Sequence, residues 1–197
     1  MHTCRLYRIT LLLFFILAAA ASLVGQGTTR SVITIHVGKT GLFSGFGHEH
    51  TVLAPIASGK VDAKALSVQI TVMARQMKVQ DPDVSAKDQA EVQSIMLGPK
   101  VLDSEKYPEI RFRSSRVEPA GAQSYRVSGT LNLHGVSRDL TFEVTGAPDH
   151  YHGKTRFKQT DFGIKPVAGG GGTVKVKDEL EIEFDVYPAE LASSSSH

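Results

Sequence analysis

The chain has 197 residues, 41% of them hydrophobic, with 22 lysines and arginines against 20 aspartates and glutamates and one cysteine. That length supplies one domain with a sizeable core. The near-balance of charge, with no basic stripe interleaved with aromatics, argues against nucleic acid as a partner, and the position of Cys4 ahead of the first apolar run excludes disulfides and thiol chemistry in the folded domain.

Residues 1–26 read as a signal peptide. Arg5 and Arg8 precede an apolar run between Ile9 and Ala21, short for a bilayer span and followed by small residues that suit cleavage. The expected destination is periplasmic or secreted, with no stable membrane span after cleavage. Loss of the two leader arginines leaves the mature chain formally neutral.

Residues 27–190 read as one domain of alternating strands. Ser31 to Val37 places Ile33, Ile35 and Val37 on one face. Gly41 to Gly47 is glycine-rich and carries Phe43 and Phe46. Thr51 to Val61 is extended, and Pro55 predicts an edge or a bulge there. Leu66, Val68, Ile70 and Val72 alternate with Ser67, Gln69 and Thr71.

A helix is predicted from Ala86 to Leu97, with Ser85 as its N-cap, Asp88 in a capping-box role, and Gly98-Pro99 as its stop. Val92, Ile95 and Met96 share a face, so the helix is placed to cap a barrel end. A second helical turn is predicted near Asp103 to Lys106. Three linked strands follow. Ile110 and Phe112 share one face, Pro119 to Gly121 makes a turn, Tyr125 to Leu133 resumes the period, and Leu140, Phe142 and Val144 carry it past the break at Gly135. Strict alternation puts Arg116 on the Phe112 face. From Val174 to Val186 a last strand alternates apolar with charged residues, except at Asp178, where a rim position or bulge is expected because an unpaired carboxylate in the core is costly. Residues 191–197, serine-rich, read as a disordered tail.

One or two short helices among many alternating strands imply an all-β fold. A sheet of that length closes on itself, giving a single antiparallel β-barrel of about eight strands. Tyr107-Pro108, the Ile110/Phe112 strand, Gly129-Thr-Leu131, Leu133-His134-Gly135-Val136, Thr160 to Ile164 and Val176 to Leu180 together resemble the YceI-like family, with a looser match over Gly41 to Gly59. The resemblance implies a lipocalin-like barrel that encloses a long apolar isoprenoid or similar lipid, with no catalysis and no cofactor. Pattern alone leaves a solid-cored structural barrel open, because lining and core residues look alike in sequence. Phe43, Phe46, Phe112, Leu131, Phe142, Phe157, Phe162, Ile182 and Phe184 are the expected lining, from strand phase and aromatic size.

His48-Glu49-His50 is the sharpest local signal. On a strand both imidazoles point the same way, a spacing that suits two ligands of one metal, and His150-Tyr151-His152 repeats it. A metal-binding protein or metal-dependent enzyme built on His48 and His50 is therefore an alternative, though a third ligand is not identifiable. The other role for these histidines is at the barrel mouth, against a polar ligand head. No catalytic residues are identifiable: there is no G-x-S-x-G elbow, and Asp161-Phe162-Gly163 lacks the companions of a kinase. Oligomeric state is open.

Overall fold

A computed structural model describes residues 31–40, 49–169 and 174–194. The barrel strands are β1 (Val32–Val37), β3 (His50–Asp62), β4 (Ser67–Met73), β6 (Glu109–Gly121), β7 (Ser124–Leu133), β8 (Val136–Ala147), β9 (His150–Lys158) and β12 (Glu179–Val186). Each pairs antiparallel with the next in this order. Strand β1 pairs with both β12 and β3, so the sheet closes into an eight-stranded up-and-down barrel. The expected fold class is correct. Two-residue strand β5 (Lys78–Val79) hangs on β3, and β2 (Lys39–Thr40), β10 (Ala168–Gly169) and β11 (Val174–Val176) form a small sheet of their own.

The period of two puts Ile33, Val72, Phe112, Val127, Val144 and Ile182 inside and the charged residues outside. Three register shifts interrupt it, one of them between Pro119 and Gly121 at the end of β6. In β6 the register shifts between Ser114 and Arg116, so Val117 turns inward and Arg116 outward, where it pairs with Glu118. Strict alternation had put Arg116 on the wrong face, since an extra residue inverts every side chain beyond it. In β3 the shift falls between Ile56 and Ser58. Pro55 just before it lies opposite Val32, at the last pair of the β1–β3 ladder. The proline thus marks the end of a ladder and an adjoining bulge, not a sheet edge.

The predicted helix α1 (Ala86–Leu97) has the expected bounds. Ser85 Oγ accepts from the Asp88 amide at 3.2 Å and donates to its carboxylate at 2.8 Å, and Gly98 closes the helix. Gln93 docks it on β5: its Oε1 accepts from Val79 N and its Nε2 donates to Met77 O. The helical turn expected near Asp103 is a single hydrogen-bonded turn, with Lys106 N and Tyr107 N both donating to Asp103 O. The β6–β7 hairpin turns later than expected, after Gly121, because Pro119 still pairs with Tyr125. Between β7 and β8, His134 and Gly135 both take positive φ, as a tight two-residue hairpin requires.

Two corrections concern the C-terminal part. The expected last strand is two strands in different sheets, β11 and β12, broken at Asp178. There Asp178 accepts from Thr160 N at 2.9 Å and Thr160 Oγ1 at 2.7 Å, which ties the break to the 3-10 turn Gln159–Phe162 after β9. The domain also runs past residue 190. Helix α2 (Pro188–Ser194) follows β12, and Leu191, 2% exposed, packs with Ile56, Ile70 and Val186. Its Glu190 accepts from Ser31 N at 2.8 Å, which joins the two ends of the barrel chain. A serine-rich composition masked the one leucine that buries. Residues 1–30, 41–48, 170–173 and 195–197 lie outside the described residues, and with them the predicted leader, Phe43, Phe46 and His48.

Inside the barrel, two glycines make room for phenylalanine rings. A Cβ on Gly129 would stand 2.6 Å from Phe112 Cζ, and one on Gly153 would stand 2.4 Å from Phe184 Cζ. Each ring lies over bare backbone of the neighbouring strand, so the glycines set where the rings go. Gly153→Ala is expected to cost about 1–3 kcal/mol in urea denaturation, as overpacking does, and less in a Phe184→Leu background. Equal costs in both backgrounds would show that the ring is not what the glycine accommodates.

The Thr160 hydroxyl, then its amide, holds the Asp178 carboxyl below the usual aspartate range. A depressed folded value means stabilisation that is complete above the unfolded value of about 3.9 and is lost as pH falls through the folded value. Asp178→Ala should therefore lower Tm at pH 7, and its gap to the wild type should close as pH drops below about 4. A pH-independent gap would exclude the charge as the source.

Candidate functional site

Among the described residues, the barrel is lined by apolar side chains but is not filled. Two cavities lie within it. The lower, of about 430 Å³, sits between the barrel wall and α1, with Val92, Ile95 and Met96 of the helix forming one side. The upper, of about 180 Å³, lies toward the β3–β4 turn and is walled by aromatic rings. Ile33, Leu131, Phe157 and Ile182 border both, so they form a waist between two lobes of one apolar interior.

In the upper lobe, Phe142 stands between Phe112 and Phe184, with ring centroids 5.4 Å apart on each side. This separation is that of favourable tilted aromatic pairs. Tyr125 and Tyr151 meet edge to face at 6.0 Å. Burial, with smaller contributions from Tyr125 and Asp149, pushes the Tyr151 hydroxyl above its ordinary value, so the ring presents a neutral hydroxyl. The positions of Leu66 and Ile95 are notable. Both are large apolar residues about 40% and 39% exposed, and one borders the upper lobe, the other the lower.

The expected lining residues separate into three groups. Phe112, Phe142 and Phe184 face the upper lobe. Leu131, Phe157 and Ile182 form three sides of the waist. Phe162 is fully buried but borders neither lobe. It packs edge to face behind Phe157 at 5.1 Å, in the core below the cavity. Ile33 and the tyrosine pair were not anticipated, although the strand phase that placed Phe112 and Leu131 applies to them equally.

His50 borders the lower lobe. Its Nδ1 lies 2.6 Å from a carboxylate oxygen of Asp81, whose side chain is 3% exposed; the other carboxylate oxygen accepts from Thr51 N at 2.8 Å. Sequence gives no sign of this pair, because the residues are 31 positions apart and meet only through the loop after β5. His150 and His152 lie on the outer face. His150 stacks on Tyr187 at 4.3 Å and bonds Asp185 at 2.7 Å, while His152 lies 3.3 Å from the same carboxylate. His36 on β1 approaches Glu183 at 3.7 Å. Among the described residues, no group of three or more His, Cys, Asp or Glu side chains is arranged to hold a metal ion. His134 meets the Phe162 carbonyl at 3.3 Å and packs against Tyr107, which accounts for it as a turn residue.

The outer arginines form a solvated ion-pair face. Arg111 pairs with Glu109, Arg126 with Glu143 and Arg156 with Glu181. Such exposed pairs carry little net energy, and none is aimed at a cavity.

Comparison with known proteins places this geometry. A UPF0312 protein of Pseudomonas putida strain W619 is 35% identical over 94 residues, which is 43% of this chain and 47% of that protein. One from Pseudomonas savastanoi pv. phaseolicola is 34% identical over the same length. The match thus spans about half the length of these curated relatives. Among solved structures, Burkholderia cenocepacia BcnA superposes with a TM-score of 0.55 at 21% identity, covering 79% of this chain and 94% of that one, a likeness of fold. The model of the YceI-like domain matches residues 22–187, which contain every barrel strand, and the chain belongs to that family.

Proposed function

We propose that the protein is an exported, non-catalytic carrier that encloses a long apolar isoprenoid or similar lipid along the barrel axis. The observation that carries this reading is the two-lobed interior, apolar on nearly every side and continuous in its lining across the waist. Its size is of the order of ligand cavities, about 300–1,000 Å³. A solid-cored barrel would not leave such space, because cores pack to crystal density. The resemblance to lipid-binding barrels supports the same ligand class, and the apolar run behind Arg5 and Arg8 supports export.

Binding here needs no covalent step. Each ligand methylene taken from water contributes about 0.8 kcal/mol, so a long chain binds tightly with few polar contacts. The aromatic walls add dispersion contacts and a rigid shape. The waist then acts as a ruler: a short chain occupies one lobe, and a long one must thread past Leu131 and Phe157.

Protein exported from a bacterial host should carry an apolar small molecule in a native mass spectrum, released on unfolding and recovered in a lipid extract. A bare polypeptide that also fails to take up long-chain lipid in vitro would exclude the carrier reading. Leu131→Trp should weaken long-chain lipids tenfold or more, since excluding even two methylenes forfeits about 1.6 kcal/mol, while short chains still bind. Phe142→Asp sets a carboxylate between two rings, and it is expected to abolish uptake of apolar probes and cost several kcal/mol of stability. Retention of both fold and ligand would remove Phe142 from the cavity wall.

A further inference from the structure

We infer that the lower lobe holds a polar subsite at His50 that selects a hydroxyl-headed lipid, an alcohol, over a pure hydrocarbon. The inference rests on the carrier reading above and names the head group that such a carrier takes. The lower lobe is apolar except at a few positions, and His50 is the one whose ring is oriented by a buried carboxylate.

The geometry determines what His50 offers. Ionised Asp81 can only accept, so the imidazole proton facing it resides on Nδ1. Asp81 is itself held from two sides, by the Thr51 amide donating to its carboxylate and by its own amide donating to Gln89 Oε1 of α1 at 3.1 Å. The ring therefore has a fixed orientation, the arrangement that aims a ligand-binding histidine elsewhere in proteins. With Nδ1 engaged by Asp81, Nε2 has no hydrogen-bond partner among the described residues and is the ring atom that His50 can offer to a ligand in the lobe it borders. A purely hydrocarbon ligand would bury this nitrogen unsatisfied, which is costly.

A hydroxyl satisfies Nε2 in either protonation state. It donates to the lone pair of the neutral ring and accepts from the N–H of the charged one. A carboxylate or fully ionised phosphate head has no proton to donate and can pair only with the charged ring, and either would also stand near the Asp81 carboxylate. A ketone or ether can only accept. The alcohol is thus the head group that the pair accommodates without depending on its charge. It follows that the lipid lies with its head against β3 and α1 and its tail through the waist toward the phenylalanines.

The test compares three probes of one chain length: geranylgeraniol, its methyl ether and its monophosphate. Affinity is read by displacement of a neutral fluorescent apolar probe from delipidated protein. The alcohol should bind about five- to tenfold more tightly than the ether, the worth of one hydrogen bond in a dry site. His50→Phe should equalise the two while keeping ether affinity. Asp81→Asn should shrink the preference by loosening the ring, and Arg126→Ala, on the outer face, should leave it intact. Equal binding of alcohol and ether by the wild type overturns the subsite and leaves the carrier reading standing. Tightest binding of the phosphate, lost in His50→Phe, overturns it in favour of an anionic head. Failure of all three to bind overturns the carrier reading as well. Should His50→Phe not fold, having left Asp81 buried beside the Thr51 amide alone, the wild-type comparison of alcohol with ether decides.

Discussion

Strand β1 is hydrogen-bonded on both sides, to β12 from Val32 to His36 and to β3 from Val32 to Val37. The rest of the structure depends on that double pairing. It leaves the eight barrel strands without an unpaired edge, and it holds the strands at a circumference that side chains of ordinary size do not fill. A flat sheet of the same strands would collapse onto a second layer. Once closed, the barrel has nowhere to collapse to, and apolar walls face each other across open space. The cavity is thus a consequence of closure and strand number more than of any one residue.

Which residues shape the space is a separate matter. Phe112 and Phe184 each lie over a glycine of the adjacent strand, and Phe142 bridges them. The rings are thereby held toward the upper part of the wall, which leaves a slot there instead of a plug. Below the waist the wall is aliphatic and α1 supplies the missing side. The lower lobe is the larger, and it is also where His50 and Asp81 place a hydrogen-bonding group. An interior that is aromatic and narrow at one end, aliphatic and wide with one oriented polar group at the other, has a direction. A chain-like ligand with one polar end fits that asymmetry better than a symmetric hydrocarbon does.

The ends of the barrel chain are joined by polar contacts instead of a disulfide, which the single cysteine could not provide. Ser31 is 1% exposed; its amide donates to Glu190 and its hydroxyl accepts from Tyr187 N at 2.9 Å, while Leu191 fills the space inside β3. At the other end, Asp178 fastens the start of β12 to the turn after β9. The first fastening holds β1, on which closure depends, and the second holds β12, its neighbour; both use side chains whose sequence surroundings look like loop.

Alternation of apolar and polar residues by itself determined the strand-rich class, the inward set on β1, β4, β7, β8 and β12, and the closed antiparallel architecture, because a period of two is a local property of the chain. The capped helix was legible for the same reason: Ser85, Asp88 and Gly98 act within one or two turns. Tertiary structure decided whatever depends on partners far apart in the chain. The bulge at Ser114–Arg116 inverts the face of Arg116, and only pairing with β7 reveals it. The Val174 to Val186 run divides between two sheets because β11 meets β2 and β12 meets β9. Phe162 lies behind Phe157, since the chain leaves β9 at Lys158 for a 3-10 turn and alternation does not show where a strand gives way to such a turn. His50 stood out as part of a metal-like pair, but its role is set by Asp81, a contact between segments that neither spacing nor periodicity connects. Whether apolar walls enclose space or fill it was likewise undecidable from composition, because that depends on the circumference at which β1 closes the sheet.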